Sequence, residues 1–96
     1  MRIISRKPLY DFIRRHPQSK ASLNAWWEIA QRAEWKHIQE ARESWGSADP
    51  VGDFTVFNIS GNKYRLITRI DYQRQRVYVR EVLTHAEYDR ARWKQR

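Results

Sequence analysis

The sequence predicts an α+β domain in which a helical hairpin packs on a small antiparallel sheet and a short helix closes the chain. Three observations support this fold class. Residues 1–45 repeat apolar side chains at helical spacing. Residues 54–83 contain segments of strand composition separated by tight polar turns. The 96 residues, of which 41% are hydrophobic and 14% aromatic, suffice for one core, so we expect a single domain over 1–96.

Two helices are predicted before residue 33. Lys7-Pro8 marks the first start, because proline at the first helical position loses no hydrogen bond. Pro17 ends this helix, since the residue before proline is driven out of the α region. Ser19 is placed to cap a second helix, whose apolar stripe is formed by Leu23, Trp26, Trp27 and Ala30. The short connection makes the two helices antiparallel neighbours, and a third short helical pattern covers 35–45.

Strand composition predicts strands at 54–59, 63–70 and 76–83, with a short fourth strand at Ile3-Ile4. Residues 47–53 are rich in turn formers and predict a boundary. Alternation assigns one apolar face to Tyr64, Leu66, Thr68, Ile70, Val77, Val79 and Leu83. The opposite face carries Lys63, Arg65, Arg69, Arg76 and Arg80, interrupted by Ile67 and Tyr78. Because the period is two, a one-residue slip would bury the arginines, so we expect an open basic face.

The charge is strongly basic and unevenly distributed. The chain has 19 Lys and Arg against 11 Asp and Glu, a net charge of +8. Residues 63–96 hold ten of the basic and only four of the acidic side chains. Such clustering is typical of a polyanionic partner, nucleic acid above all, or of an anionic membrane surface. A solvated face whose arginines serve only solubility remains the alternative.

Several function classes are disfavoured by what the sequence lacks. There is no Cys, which excludes a disulfide framework and a thiolate zinc site. Neither a signal peptide nor an apolar run of the ~20 residues of a membrane span is present. With three glycines the chain has no phosphate-binding loop. We therefore expect a cytoplasmic protein without metal, cofactor or membrane contact.

The last predicted helix carries the sharpest local signature. Thr84-His85-Ala86-Glu87 has the pattern of a capping box. This places His85 at the first helical position and Tyr88 at i+3 on a neighbouring site, beside the end of the basic strand. A base for the ribose 2′-OH, an acid for the departing 5′ oxygen and cations for the phosphate could cleave RNA without a metal. A capped helix whose tyrosine packs in the core is the alternative.

Two segments resemble the HigB family of RelE-like bacterial toxins. They are VFNISGNKYRLI at 56–67 and VYVREVLTHAEYD at 77–89, in this order and spacing. The order of elements also agrees along nearly the whole chain. The resemblance implies a RelE-like fold and a ribosome-dependent mRNA interferase of a type II toxin–antitoxin system, which cuts mRNA in the ribosomal A site. It also implies a HigA-type helix-turn-helix antitoxin, through which alone the complex would bind operator DNA.

The resemblance assigns roles residue by residue. Arg65 falls on a phosphate-stabilising position, Tyr88 on the tyrosine of the last helix, and His85 where related toxins place a basic or acid/base residue. Arg80 and Lys63 match basic positions near the cleft. We therefore expect Arg65 and Arg80 to neutralise the scissile phosphate and His85 and Tyr88 to transfer protons or orient the 2′-OH. RNA would be held by Asn62, Lys63, Arg69, Arg76 and Tyr78.

Two other functions remain open at this point. A non-catalytic RNA- or ribosome-binding module could use the same basic face. A DNA-binding repressor is disfavoured, because the helices carry mixed charge and the basic excess lies on strands.

Overall fold

A computed structural model describes residues 1–90 and has the expected α+β architecture. The chain runs through β1 (Arg2–Ile4), α1 (Lys7–Arg15), a 3₁₀ turn (Pro17–Ser19), α2 (Lys20–Arg32), α3 (Ile38–Ser44), β2 (Asp49–Val51), β3 (Phe54–Ile59), β4 (Tyr64–Asp71), β5 (Arg76–Thr84) and α4 (His85–Asp89). Residues 91–96, which contribute to the basic C-terminal third, lie outside the described residues.

The five strands form one sheet in the order β1-β5-β4-β3-β2. Strands β2 to β5 pair antiparallel, as expected, and β1 adds a parallel pair with β5 at one edge. The short strand predicted at Ile3-Ile4 is thereby confirmed. The boundary predicted over 47–53 is wrong in its middle, because Asp49–Val51 pairs with β3. Pro50 fits there because an edge strand has a side on which no N–H donor is needed.

The helix boundaries follow the prolines. Helix α1 has Pro8 in its first turn, and its C-terminal cap is His16, immediately before Pro17. Ser19 does precede α2, but its side chain makes no cap hydrogen bond with the helix. Its backbone is already helical, and its hydroxyl donates to the His16 carbonyl oxygen at 2.7 Å. The predicted capping by Ser19 is therefore wrong, because the 3₁₀ turn runs directly into α2.

The main core lies between the helices and one face of the sheet. Helix α2 buries Leu23, Trp26 and Ala30 from the predicted stripe, whereas Trp27 is only half-buried. The Trp26 and Trp35 rings pack on Phe57 of β3, with centroids 5.4 and 6.0 Å away. The prediction that the apolar face of the sheet receives the helices is confirmed. No helix within residues 1–90 has both the length and the hydropathy to cross a bilayer.

A β-bulge interrupts the pairing of β4 with β5. Ile67 pairs with Glu81, but the next residue, Thr68, pairs with Val79, so Arg80 has no partner on β4. An extra residue inverts the alternation beyond it. Val82 therefore joins the main core, and Leu83 packs on the opposite face against Val56 and Ile67. The prediction that Leu83 faces the helices is wrong for this reason.

Candidate active site

The sheet face opposite the helices is not the open basic surface that the sequence predicts. Val56 and Ile67 are buried there, and Val51, Phe54, Leu83 and Tyr88 pack against them. Tyr88 belongs to α4, so this last helix contributes to covering the face. A small apolar cluster thus replaces the middle of the expected row of cations. The physical cause is that burying the apolar side chains of Ile67 and Leu83 is favourable in free energy, whereas an open face would leave them in water.

The apolar cluster divides the predicted site residues into two groups. The first, which we call the hairpin–helix cluster, contains Asn62, Lys63, Arg65, His85 and Tyr88. The second, the strand cluster, contains Arg69, Arg76, Tyr78 and Arg80. Arg65 and Arg69 point to the same face of β4 and are four residues apart, so their Cα atoms are separated by about 13 Å.

Arg65 is the most unusual side chain of the hairpin–helix cluster. It is only 9% exposed, although its guanidinium is charged. Its Nη1 donates to the carbonyl oxygens of Asn62 at 3.0 Å and Tyr64 at 3.1 Å. Among residues 1–90 no carboxylate forms an ion pair with it. A buried charge without a counter-ion is costly, so Arg65 is a strong candidate for holding an anion.

Tyr88 lies directly against this guanidinium. The Arg65 Cζ is 5.5 Å from the centroid of the Tyr88 ring, which is within the range of a cation–π contact. Burial, with a smaller contribution from Asp49, raises the pKa of Tyr88, and the opposing effect of Arg65 does not reverse this. The phenol is therefore protonated at neutral pH. It can donate a hydrogen bond or a proton but is not a base.

His85 occupies the first position of α4, as the capping box predicts. The Thr84 N–H donates to Glu87 Oε1 at 2.9 Å and the Glu87 N–H to Thr84 Oγ1 at 3.2 Å. The His85 backbone N–H donates to the Lys63 carbonyl oxygen at 3.0 Å, which ties the helix to the hairpin. The Thr84 N–H also lowers the pKa of Glu87, because it stabilises the carboxylate. The predicted capping box is confirmed.

The imidazole of His85 has a partner that the sequence-based prediction missed. Its Nδ1 lies 2.9 Å from Asp89 Oδ2, and the His85 side chain is 50% exposed. A carboxylate on Nδ1 orients the ring and leaves Nε2 as the nitrogen that can face a substrate. The i,i+4 spacing of the two residues on a helix was the available signal.

The hairpin between β3 and β4 positions the remaining members of this cluster. Ser60 and Gly61 both have positive φ, 54° and 66°, in the four-residue connection between Ile59 and Tyr64. Asn62 and Lys63 follow and are exposed. The Asn58 Nδ2 donates to Asn62 Oδ1 at 3.3 Å. The tight connection predicted at 60–62 is confirmed and extends to Lys63, and its Asn62 carbonyl oxygen accepts a hydrogen bond from Arg65.

The strand cluster contains Arg80, which the sequence placed with Arg65. Arg80 instead lies over the Phe54 ring, with its Cζ 5.2 Å from the ring centroid. Arg69 forms an exposed ion pair with Asp53 at 3.5 Å. Arg76 Nη1 is 3.4 Å from the Tyr78 hydroxyl. The structure thus places Arg65 against Tyr88, with His85 three residues earlier on α4, and gathers Arg80 with Arg69 and Tyr78 elsewhere. Within residues 1–90 no three His, Asp or Glu side chains converge as metal ligands would.

Comparison with known protein families identifies the class of protein to which this chain belongs. Residues 19–91 match the HigB toxin family, described as the RelE-like toxic component of a toxin–antitoxin system. This match, together with the α+β fold, identifies a RelE-like toxin component of a toxin–antitoxin system. The chain belongs to the HigB toxin family, which confirms the resemblance of its hairpin and last helix.

Curated relatives extend over nearly the whole chain. The mRNA interferase toxin HigB of Escherichia coli strain K12 is 32% identical over 92 residues, which cover 93% of this chain and 88% of the relative. The mRNA interferase HigB of Shigella flexneri matches to the same extent. An mRNA interferase HigB of Escherichia coli O6:H1 is 26% identical over 93 residues, covering 94% and 90%.

Proposed function

We propose that the chain is a metal-independent endoribonuclease of the bacterial cytoplasm that cleaves mRNA in the ribosomal A site and acts as one domain over 1–96. The observation that carries the proposal is the buried Arg65 guanidinium, which lacks a carboxylate partner within residues 1–90 and lies against Tyr88. The names of the relatives, which are mRNA interferases, and the net charge of +8 support an RNA substrate.

The proposed reaction is attack of the ribose 2′ oxygen on the adjacent phosphorus. His85 Nε2 takes the 2′-OH proton as the P–O2′ bond forms. The P–O5′ bond breaks, and Tyr88 donates its proton to the departing 5′ oxygen. Arg65 still has Nη2 and Nε with which to bind the phosphate oxygens, because within residues 1–90 the carbonyl oxygens engage only Nη1. Lys63 and Asn62 hold the adjoining RNA backbone.

The proposed site predicts dependence on the ribosome. His85 is half exposed and Asn62 and Lys63 are exposed, so these side chains alone would align a free RNA poorly for in-line attack. We expect purified protein to cut mRNA on translating ribosomes and to cut the same RNA poorly in their absence. The measurement is a time course of cleavage of the ribosome-bound and the free RNA at matched concentrations, in which the cleavage positions are mapped.

Two results of that experiment would contradict the proposal. Equal cleavage of free and ribosome-bound RNA would show that the activity does not depend on the ribosome. Salt-dependent binding to ribosomes or RNA without cleavage would instead identify a non-catalytic binding module.

The partner is the antitoxin of the same system, and we propose that it is a HigA-type helix-turn-helix protein that alone contacts operator DNA. We further propose that it covers the groove between α1 and α2. Tyr10 is 55% exposed there, which is unusual for a large aromatic side chain. Trp27 is half-buried beneath Arg6, whose Cζ is 4.5 Å from its ring centroid. Aromatic and arginine side chains of this kind are typical anchors of protein interfaces.

Substitutions in this groove should weaken inhibition by the antitoxin without reducing the toxicity of the protein. Tyr10→Ala and Trp27→Ala should each weaken antitoxin binding by tenfold or more, because such anchors typically contribute at least about 2 kcal/mol. Growth arrest by the variant toxin alone should persist. Ile29→Ala is the matched control, since Ile29 is an exposed apolar side chain of α2 outside this groove. Unchanged antitoxin affinity in both groove variants would show that the antitoxin binds elsewhere.

A further inference from the structure

Three of the four residues of the strand cluster line a cavity. The cavity has a volume of about 330 Å³ and is lined by Ser5, Phe54, Arg69, Tyr78, Val79 and Arg80. It combines two guanidinium groups with two aromatic rings. Proteins that bind single-stranded nucleic acid use this combination, with cations for the phosphates and flat π surfaces for the bases.

The bulge explains why Arg80 belongs to this cavity. Arg80 has no partner on β4, and bulges of this kind redirect a side chain out of the regular alternation. The Arg80 Cζ lies 5.2 Å from the centroid of the Phe54 ring, so the ring supports one face of the guanidinium. A guanidinium plane supported in this way can itself stack on a nucleobase.

Arg69 provides the charge at the other side of the cavity. Its partner is Asp53, but the two side chains are 60% and 83% exposed and lie 3.5 Å apart. Exposed pairs of this kind contribute little, so an RNA phosphate can replace the carboxylate on Arg69. Tyr78 pairs with Arg69 across the two strands and lies two residues before Arg80 on β5, and its hydroxyl is 3.4 Å from Arg76 Nη1.

We propose that this cavity binds a second nucleotide of the RNA strand, away from the phosphate that is cleaved. Its base stacks on the Arg80 guanidinium and its phosphate pairs with Arg69. The inference deepens the proposed function and takes its substrate class from it. It makes Arg80 a binding residue rather than part of the cleavage centre. The separation of about 13 Å between Arg65 and Arg69 requires an RNA that extends past the cleaved bond.

The test uses the full-length protein and a fluorescently labelled single-stranded oligouridylate in an anisotropy titration at several salt concentrations. Arg69→Gln should weaken binding and reduce the slope of log Kd against log salt by about 0.7, the value for one lost contact to a single strand. Arg80→Lys keeps the positive charge but removes the planar guanidinium on which a base could stack. The affinity for RNA should therefore fall by about tenfold, while the slope of log Kd against log salt is preserved. Asp53→Asn should strengthen binding, because it removes the competing carboxylate. Arg32→Gln is the control, since Arg32 is an exposed arginine paired at 3.5 Å on α2.

Cleavage kinetics on ribosomes complete the test. Arg69→Gln and Arg80→Lys should raise KM for ribosome-bound mRNA and leave kcat near the wild-type value. The proposal is overturned if both variants bind RNA like Arg32→Gln, or if Arg80→Lys lowers kcat as an Arg65 variant does. It is also overturned if both variants bind RNA normally and lose affinity only for the antitoxin. If the wild-type protein does not cleave mRNA but these binding losses occur, the second nucleotide site stands and the proposed function fails.

Discussion

Replacement of Arg65 by lysine should lower the rate of mRNA cleavage on the ribosome by about 10³-fold or more, the range found when a transition-state arginine is lost. Lysine keeps the charge but not the planar fork that can bind carbonyl oxygens and phosphate oxygens together. The fork is expected to matter because Nη1 is already engaged by two backbone carbonyls, which leaves the other N–H groups for the phosphate. The measurement is the single-turnover rate at saturating toxin.

Folding has to be checked for this variant, because Arg65 is nearly buried and bonded to the hairpin. Thermal melting of Arg65→Lys should remain cooperative, and its binding to the ribosome should be measurable. Arg74→Lys is the matched control, since Arg74 lies in the turn after β4, is 70% exposed and pairs with Asp71. A folded Arg65→Lys protein that cleaves at the wild-type rate would show that Arg65 is a structural residue.

His85→Ala and Tyr88→Phe should each reduce the cleavage rate by about 10²–10⁴-fold while ribosome binding stays nearly intact. The reason is that each removes one proton-transfer group, while Arg65, the proposed cation of the phosphate site, is kept. Tyr88→Phe keeps the ring that packs against Val56 and Ile67, so its loss of rate is attributable to the hydroxyl. Quenched-flow cleavage and ribosome pelleting measure the two effects separately.

The alternative to catalysis at α4 is a capped helix whose tyrosine only packs. Thr84 and Glu87 are therefore left unchanged, so that the capping box stays intact. Asp89→Asn should reduce the rate less than His85→Ala, because Asp89 positions the imidazole without touching the RNA. His37→Ala, at an exposed histidine outside the cluster, is the control. Near wild-type rates in both His85→Ala and Tyr88→Phe would establish that α4 is structural.

Local chemistry made several parts of this protein predictable. Pro8 and Pro17 determine the limits of α1 because a proline ring fixes its own φ and restricts the residue before it. The capping box at Thr84 and Glu87 determines the start of α4. Both signals act within a few residues and do not depend on what the segment later packs against. The two segments that contain Arg65 and Tyr88 are also short stretches of chain, and their residues alone suffice to indicate the family.

The sequence by itself determined the α+β class, the hairpin, the last helix and its capping box. Only the tertiary structure decided that the basic residues form two groups rather than one row. The reason is the bulge at Arg80, which depends on how β4 and β5 pair and cannot be found from the alternation of either strand alone. The same pairing turned Leu83 away from the helices and allowed it to pack with Ile67, which separates Arg65 from Arg69.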